Sequence, residues 1–327
     1  MVSVVDSFVE LGKRLQSFGN DEYTSQIIAE ACAANKWFTH TDIYRAVEAI
    51  REQFLNREKL QCWLSHYNIE QVTPKRVAII MAGNIPLVGF FDLMCVLMCG
   101  HTALVKPSSK DKILTEYIIS ELRAISPALP IESYDPNDQC DMVIATGGDS
   151  AAAYFESKYA TTPSLIRGSR HSLAVLSGNE ESTDWEALSH DIFTYSGLGC
   201  RNVSLVMLPR GAELRLPELD SVNEMYRGCY LSSRALMMMT QQPHTDLGYA
   251  LAVEREGFSD NISCINYCYY DSIEQVEQWL AENDDKIQCI VSRAITHPRR
   301  VDFGRAQYPT LFDYADGVDV MKFLTSN

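Results

Sequence analysis

Residues 76–107 read RVAIIMAGNIPLVGFFDLMCVLMCGHTALVKP, and this stretch indicates the fold of the chain. Residues 76–81 are an apolar run with the length and character of a buried strand. Residues 87–98 are apolar over a length that favours a helix, and residues 102–105 form a second short strand run. A strand, a helix and a further strand in this order are typical of a parallel β-α-β unit.

The same alternation of short apolar runs and helical segments continues along the chain. The predicted helices cover residues 112–125 and 150–159, and the predicted strands cover residues 141–145 and 173–176. Upstream, residues 1–70 carry helical stripes, one of which begins at a cap around Thr39, and Pro74 ends this part. Short apolar strands separated by helices predict a parallel sheet that is covered on both faces.

The pattern is less regular in the second half of the chain. Residues 204–207, 262–269 and 287–292 are predicted strands, residues 272–282 are a predicted helix, and residues 236–239 fit either element. A polar segment between Ser177 and Trp185 is the predicted domain boundary. We therefore expect residues 1–180 to form the N-terminal helices and a nucleotide-binding domain, and residues 181–327 to form a smaller α/β catalytic domain. In an alternative arrangement, the last residues return to the first domain.

The composition excludes several classes of partner. The 327 residues are 46% hydrophobic, which is enough for a large core, and the formal net charge is −15. A chain this acidic, without a basic tract, repels nucleic acid and anionic membrane surfaces. No apolar run approaches the roughly 20 residues that cross a bilayer, and the first residues do not resemble a secretory signal. We expect a cytoplasmic protein without membrane insertion.

The ten cysteines are scattered, so we expect reduced thiols and no metal site. Cys200 differs from the others because it ends a glycine-rich turn, within FTYSGLGCRNVSLVML at residues 193–208. Gly197 and Gly199 allow a strained turn that exposes the thiol. A reactive thiol needs a nearby cation or helix start that lowers its pKa, and Arg201 is a candidate for that cation.

Asn84 is the candidate oxyanion donor. It lies in Gly83-Asn-Ile-Pro86, directly after the first predicted strand. Its amide can donate a hydrogen bond to the oxyanion of a tetrahedral intermediate. The alternative is a turn residue without a catalytic role, because this composition favours turns.

Lys106 and Thr146-Gly147-Gly148 are candidate ligands of a nucleotide cofactor. Each follows a predicted strand, and ligands of open α/β sheets bind at the carboxyl ends of the strands. Lys106 suits a ribose hydroxyl or a phosphate, and the amides of the glycine pair suit a phosphate. The standard dinucleotide and phosphate-loop fingerprints are absent from the sequence. The alternative for Lys106 is a solvated lysine at a strand end.

The order of these pieces resembles the aldehyde dehydrogenase superfamily. The matching segments are MAGNIP at residues 81–86, GHTALVKP at 100–107, IATGG at 144–148, RGSRHS at 167–172 and GLGC at 197–200. The resemblance implies an aldehyde-dehydrogenase-like α/β fold with Cys200 as nucleophile, Asn84 as oxyanion donor and Lys106 as a ligand of the adenosine ribose. It also implies that Glu256 contacts the nicotinamide ribose, although a surface glutamate is the alternative there.

One segment departs from the pattern of that superfamily and points to a particular family within it. The hydrolytic members carry a glutamate that activates water, whereas residues 164–171 read SLIRGSRH and contain no carboxylate. Together with YSGLGCRN at 195–202 and FDYADGVD at 312–319, this segment is similar to acyl-CoA reductases of the LuxC type. That resemblance implies reduction of an acyl-CoA or acyl-carrier thioester to an aldehyde, with NADPH as reductant and CoA as leaving group. The chain is shorter than typical members after Cys200, in the part that would supply an acyl pocket and oligomerisation strands.

Several interpretations stay open at this point. Ser109, with Lys110 beside it, favours the 2′-phosphate of NADPH, and NADH is the alternative. Other enzyme functions are CoA-acylating aldehyde oxidation and acyl-phosphate reduction, and a different class is a non-catalytic relative that binds an acyl carrier or partner enzyme. A homo-oligomer is possible in each case.

Four further positions have a functional and a structural interpretation. Arg167 and Arg170 either bind a phosphate of CoA or of the cofactor or lie in a solvated loop. His171 either serves as a phosphate donor or acid–base group or is structural. Methionines 237–239 either line an acyl pocket or fill the core.

Overall fold

The computed structural model describes residues 3–326 and divides the chain into two compact units. The first unit runs to Ser169 and includes the residues from Thr310 onward, and the second is Arg170–Pro309. Over residues 3–326, no helix combines the length and the apolar character needed to span a membrane. As expected from the sequence, the architecture is α/β, with one sheet in each unit.

Four helices open the first unit, as the helical stripes predict. They are α1 (Val4–Arg14), α2 (Glu22–Ala34), α3 (His40–Phe54) and α4 (Arg57–Leu64). The predicted cap at Thr39 is confirmed, because its side chain accepts the amide hydrogen of Asp42 at 3.0 Å. Such a bond satisfies one of the amides that every helix start leaves without a partner inside the helix.

The first sheet follows these helices. Its elements are β1 (Arg76–Ile80), α5 (Phe90–Met98), β2 (Thr102–Lys106), α6 (Lys112–Ile125), β3 (Ile131–Ser133), β4 (Met142–Thr146), α7 (Asp149–Lys158) and β5 (Ser164–Arg167). The strand order is β3-β2-β1-β4-β5, and every neighbouring pair is parallel. The predicted parallel sheet is confirmed. The sequence did not predict β3 or β5, which lie at the two edges and are short.

The second unit contains a seven-stranded sheet. Its elements are β6 (His171–Val175), α8 (Ser182–Phe193), β7 (Val203–Pro209), α9 (Glu224–Thr240), β8 (Thr245–Asp246), β9 (Leu251–Glu254), β10 (Cys264–Tyr270), α10 (Ile273–Glu282), β11 (Ile287–Ser292) and β12 (Arg300–Val301). The order is β12-β11-β6-β7-β10-β9-β8, with one antiparallel pair, β8 and β9. Residues 236–239, which fitted either element, lie inside α9.

The division between the units differs from the predicted boundary in one respect. The second unit begins at Arg170, before the polar segment between Ser177 and Trp185. The reason is that β6 pairs with β7 and β11 of the second sheet, a long-range partnership that its sequence does not reveal. The assignment of nucleotide binding to one unit and catalysis to the other stays a prediction.

Residues 310–326 pack within the first unit, which is the alternative arrangement considered above. Helix α11 (Val320–Ser326) buries Val320, Met321 and Leu324 against the same core as α5. His101 is fully buried and joins this segment to the sheet. Its Nδ1 accepts from the amide of Lys75 at 3.1 Å, and its Nε2 lies 3.0 Å from the carbonyl oxygen of Leu324.

Candidate active site

The carboxyl edge of the first sheet brings together three of the predicted site segments. Strand β1 lies between β2 and β4. The chain leaves β1 toward β2 and leaves β4 toward β5, in opposite directions, so a topological switch point lies between β1 and β4. Lys106 ends β2 and is exposed, Thr146 ends β4, and the loop that carries Asn84 follows β1. Ligands of open parallel sheets bind in the crevice outside such a point.

We define the Asn84 turn as residues 81–89, between β1 and α5. Two glycines of this turn pack closely against neighbouring residues. A Cβ at Gly83 would lie 2.6 Å from the Cβ of Ser108, and a Cβ at Gly89 would lie 2.5 Å from Met81. Leu87 has a positive φ of 57°, a conformation that few non-glycine residues adopt. Asn84 itself is half-buried. The turn is therefore built as a fixed structure, which a catalytic amide requires.

Asp111 is a buried carboxylate beside the Asn84 turn, and the sequence analysis gave it no role. It is 3% exposed and lies just before α6, and its Oδ2 accepts the amide hydrogen of Leu87 at 2.8 Å. Its Oδ1 is buried without a hydrogen-bond partner. Burial raises the pKa of Asp111 to about 7, although hydrogen bonding with the Leu87 amide and with the Thr115 side chain opposes this effect. An aspartate at a helix start normally predicts a cap, so the sequence carried no signal of this longer-range contact.

The candidate cofactor residues lie on open surface at the same edge. Lys106, Ser109 and Gly148 are exposed, and Thr146 and Gly147 are half-buried. Gly147 donates its amide hydrogen to the carbonyl of Arg167 at 3.1 Å, so that amide is used within the sheet edge. Gly148 precedes α7 and presents no side chain. The role of these residues in binding a cofactor stays a prediction.

A carboxylate also stands at this helix start. Asp149 is in the first turn of α7, and its Oδ1 accepts the amide hydrogen of Ser169 at 2.8 Å. A negative charge at a helix start opposes the binding of a second anion there. The Thr146-Gly147-Gly148 segment therefore suits an uncharged part of a cofactor better than a phosphate, and its role in cofactor binding stays a prediction.

Arg167 corrects both interpretations made from the sequence. It is 5% exposed, and its guanidinium donates to Asp92 of α5 at 2.6 Å. It is therefore neither in a solvated loop nor open to a phosphate of CoA or of the cofactor. Thr146 lies 3.5 Å from the same nitrogen. Asp92 lies within the apolar run of residues 87–98 and has no role in the sequence analysis, because the pair forms only when β5 and α5 are brought together.

Arg170 and the methionine run have structural contacts, and their functional interpretations stay predictions. Arg170 lies 3.4 Å from the carbonyl oxygens of Asp284 and Ile287, so its guanidinium is directed at backbone. Met237 is buried in a small core with β9, whereas Met238 and Met239 are 63% and 83% exposed. The run therefore divides between core and surface because it lies on a helix.

We define the Cys200 turn as residues 194–202, between α8 and β7. Tyr195, Ser196 and Gly197 have consecutive positive φ values of 54°, 55° and 71°. Two of them carry side chains, so the backbone is strained here. The thiol of Cys200 is exposed at the end of this turn, as the sequence predicted.

Asn202 holds the Cys200 turn from inside. It is 5% exposed, and its Nδ2 lies 2.8 to 3.2 Å from the carbonyl oxygens of Asp191, Ile192 and Thr194. Its Oδ1 accepts the amide hydrogen of Gly199 at 2.8 Å. One side chain thus joins the end of α8 to the residue before the thiol. The sequence analysis quoted Asn202 only within a matching segment and gave it no role.

Ser172 and Arg201 fix the backbone around the thiol. The hydroxyl of Ser172, fully buried in β6, donates to the carbonyl of Cys200 at 2.9 Å. The Nε of Arg201 donates to the carbonyl of Ala306. The guanidinium therefore has a structural contact, and its influence on the pKa of the thiol stays a prediction.

Glu256 and His171 lie elsewhere in the second unit. Glu256 is exposed after β9, and its carboxylate adds to the effect of burial in raising the pKa of the Cys268 thiol to about 11. Cys268 is in the carboxyl half of β10, whereas Cys200 precedes β7 at the opposite ends of these parallel strands. The ring of His171 stacks on Phe258 at 4.9 Å. The predicted cofactor contact of Glu256 is untested.

The ten cysteines are all free, and only Cys62 and Cys200 are exposed. Cys62 lies within α4, far along the chain from any strained turn. Among residues 3–326, no group of three or more histidine, cysteine or acidic side chains is arranged to hold a metal ion. Cys200 is therefore the exposed thiol that combines access with a strained, internally braced turn.

Solved structures of aldehyde dehydrogenases share this fold. An aldehyde dehydrogenase from Mycobacterium tuberculosis, in complex with NAD+, matches 84% of this chain and 69% of its own with a TM-score of 0.57 and 13% identity. Aldehyde dehydrogenase 21 from Physcomitrella patens matches 89% of this chain and 73% of its own with a TM-score of 0.62 and 10% identity. At such low identity the likeness concerns the fold, which is that of the aldehyde dehydrogenases.

The sequence comparisons then identify the family. The acyl-CoA reductase (LuxC) model matches residues 19–223, which is more than half of the chain. The chain belongs to this family of oxidoreductases. A long-chain acyl-protein thioester reductase from Aliivibrio fischeri is 26% identical over 149 residues, or 39% of this chain. The match covers 30% of that relative, so less than a third of its length is represented.

Proposed function

We propose that this protein reduces an acyl thioester to an aldehyde through a thioester on Cys200. The observation that carries the proposal is the exposed thiol at the end of a strained turn, in a member of the acyl-CoA reductase family. Strain is costly in free energy and persists where the surrounding structure enforces it, which is common at functional sites.

The first chemical step is acyl transfer to the thiol. The Cys200 thiolate attacks the carbonyl carbon of the acyl thioester, and a tetrahedral intermediate forms with its negative charge on oxygen. The carbon–sulfur bond to CoA, or to a carrier thiol, then breaks, and that thiolate leaves with the electron pair. The result is an acyl group in thioester linkage to Cys200.

Asn84 is the residue proposed to stabilise the oxyanion. An amide donor that is already oriented stabilises this charge without a cost of reorganisation at the moment of reaction. The support for this role is the build of the Asn84 turn, with Gly83 packed against Ser108 and Leu87 bonded to Asp111. The family resemblance assigns the same role to Asn84.

A nicotinamide cofactor would supply a hydride to the acyl carbon. The carbon–sulfur bond to Cys200 then breaks with its electron pair on sulfur, which releases the aldehyde and regenerates the thiolate. Lys106 and Gly148, exposed at the switch point, would hold its adenosine part, and Ser109 with Lys110 would favour the phosphate of NADPH over NADH. These residues bind and orient, and none of them changes its covalent structure. The family resemblance also assigns Glu256 to the nicotinamide ribose, but its place after β9, at the opposite ends of the strands from Cys200, gives that contact no support.

The fate of the acyl group depends on whether water competes with reduction. The segment of residues 164–171 has no carboxylate, and Arg167 within it is buried against Asp92. Without a base to deprotonate water, hydrolysis of the thioester is slow, which favours reduction. Transfer back to CoA would remain open, so the same site also supports the reverse reaction from an aldehyde.

Single-turnover acylation tests the proposal. The protein is mixed with a medium-chain or long-chain acyl-CoA, or with an acyl-carrier protein thioester, and the acylated peptide is located by mass spectrometry before NADPH is added. We expect acylation on Cys200, followed by aldehyde release on addition of NADPH. Cys200→Ser should abolish acylation, whereas Cys62→Ser, which removes the other exposed thiol, should leave the rate unchanged.

The outcomes separate the competing functions. Acylation by an acyl phosphate alone would support acyl-phosphate reduction instead. Absence of acylation with every donor would overturn the proposal and favour a non-catalytic relative. Acylation by the carrier-bound donor but not by acyl-CoA would assign an acyl-protein substrate, the class named for the relative from Aliivibrio fischeri.

A further inference from the structure

We infer that Asp111 is the residue that positions the Asn84 turn and, through Asn84, sets the rate of acyl transfer to Cys200. The inference rests on the proposed function for its kinetic part. It adds a positioning residue on a different loop, between β2 and α6, that touches neither the substrate nor the thiol in the proposed mechanism.

The geometry of Leu87 supports this role. Leu87 adopts φ of 57°, in the left-handed region, three residues after Asn84. A leucine in this region costs on the order of 1 kcal/mol or more, so the conformation needs an external contact to persist. The bond of 2.8 Å from the Leu87 amide to Oδ2 of Asp111 is such a contact. Bonds to a charged acceptor are roughly twice as strong as neutral ones.

Asp111 is not placed as a simple helix cap. A capping side chain bonds to an amide two or three residues later in its own helix, as Asp21 does with Thr24 at 2.9 Å. Asp111 precedes α6 without making that bond, and its oxygen is directed at the Asn84 turn. The start of α6 still favours a negative charge at this position. The start of α6 thus stabilises the negative charge of Asp111, and the Leu87 amide of the Asn84 turn donates its hydrogen bond to that carboxylate.

The contact also joins two candidate functional loops. Asp111 ends the loop that carries Lys106 and Ser109, the candidate cofactor residues. The Gly83 backbone packs against Ser108 of that loop so closely that a Cβ would lie 2.5 Å from its hydroxyl oxygen and 3.2 Å from the Cβ of Asp111. The Asn84 turn therefore takes its position from the loop beside it.

A double-mutant cycle on acyl transfer tests the inference. Asp111→Ala removes the acceptor and should lower the single-turnover acylation rate by about tenfold to a hundredfold. The same change in an Asn84→Ala background should have little further effect, because Asp111 acts through Asn84. Alkylation of Cys200 by iodoacetamide, which needs no oxyanion donor, should keep its rate. Asp111→Asn keeps an oxygen that can accept from Leu87 and should restore most of the acylation rate.

Asp21→Ala is the matched control, because it removes a capping aspartate from the same unit without touching the Asn84 turn. It should lower stability and leave acylation unchanged. Independent, multiplicative effects of Asp111→Ala and Asn84→Ala would overturn the inference. So would equal losses of acylation in Asp111→Ala and Asp111→Asn.

Hydrogen exchange makes the positioning role measurable without activity. Asp111→Ala should speed amide exchange in residues 81–89 more than Asp21→Ala does, and Asp111→Asn should speed it less than Asp111→Ala. If Asp111→Ala does not fold, the comparison is made between Asp111→Asn and Asp111→Ser, whose shorter side chain does not reach Leu87. Faster exchange in a protein that no donor acylates would retain the positioning role and reject only the proposed function. Unchanged exchange at the turn would reject the positioning role itself.

Discussion

The Asn84 turn and the Cys200 turn both contain residues with strained backbone, and different side chains hold the two turns in place. Each lies at one end of a sheet strand, after β1 or before β7, and each forces residues with side chains into the left-handed region. Leu87 is the strained residue in the first turn, and Tyr195 and Ser196 are those in the second. Both turns expose or half-expose the side chain that the proposed chemistry needs.

The difference lies in the groups that brace them. A buried carboxylate, Asp111, holds the Asn84 turn, whereas a neutral amide and a hydroxyl, Asn202 and Ser172, hold the Cys200 turn. A carboxylate gives a stronger bond but titrates, and an amide offers donors and an acceptor together without titrating. The two turns should therefore respond differently to pH and to loss of the side chains that hold them.

The largest expected effect is that of Asn202→Ala. The change leaves the carbonyls of Asp191, Ile192 and Thr194 and the amide of Gly199 without this partner inside the protein. We expect a loss of about 4 kcal/mol in the free energy of unfolding, measured by urea denaturation. The rate of Cys200 alkylation should also change, because the turn that presents the thiol loses its brace.

Asn266→Ala is the control for that prediction. Asn266 is equally buried in the same unit and donates to a single backbone carbonyl, that of Gly257, at 2.9 Å. We expect a loss of about 1 kcal/mol and an unchanged alkylation rate. Equal losses in the two variants would show that Asn202 is only one buried amide among others.

A smaller effect is expected in the pH dependence of stability at the other turn. Burial raises the pKa of Asp111 to about 7, above the ordinary value of 3.8 that we assign to the unfolded chain. Between these values the folded state binds more protons, so the free energy of unfolding falls as the pH rises from about 4 to about 7. Asp111→Asn does not titrate and should remove this fall, on the order of 3 kcal/mol.

Urea denaturation of Asp111→Asn and of the unaltered protein across this pH range checks the prediction. The difference in the free energy of unfolding should move in favour of the variant as the pH rises and should level off above about pH 8. Asn266→Ala, which removes a neutral group, should show a constant difference from the unaltered protein. A constant difference for Asp111→Asn as well would show that Asp111 is ionised at an ordinary pKa.

The parts of the fold that sequence predicts are those set by local pattern. Strands β1, β2 and β4 are buried over nearly their whole length, and their apolar runs and the helices between them are sufficient to predict a parallel sheet. Strand β3 has a single buried residue and the two buried residues of β5 are not adjacent, so neither strand shows a continuous buried run. Edge strands lack a second neighbour, so their sequences are less constrained.

In the candidate site, too, only the features that have a local sequence signal could be predicted. The strained turn before Cys200 could be predicted because glycines at Gly197 and Gly199 are a local signal. The contact of Asp111 with Leu87 and the buried ion pair of Arg167 with Asp92 could not be predicted. They join residues that are 24 and 75 positions apart in the sequence, respectively. The sequence does not show which ionisable residues are buried, because burial depends on the tertiary fold.

The smallest expected effect comes from adding one methyl group to the Asn84 turn. A Cβ at Gly83 would lie 2.5 Å from the Oγ and 2.6 Å from the Cβ of Ser108, so Gly83→Ala must displace one of the two loops. We expect a loss of about 2 kcal/mol in the free energy of unfolding and slower acylation, with the alkylation rate of Cys200 unchanged. In Gly228→Ala, the control, the new methyl group meets open space on α9, and the helix should gain stability. A faster or slower alkylation of Cys200 in Gly83→Ala would mean that the two turns are coupled, and the contrast between them would then have to be abandoned.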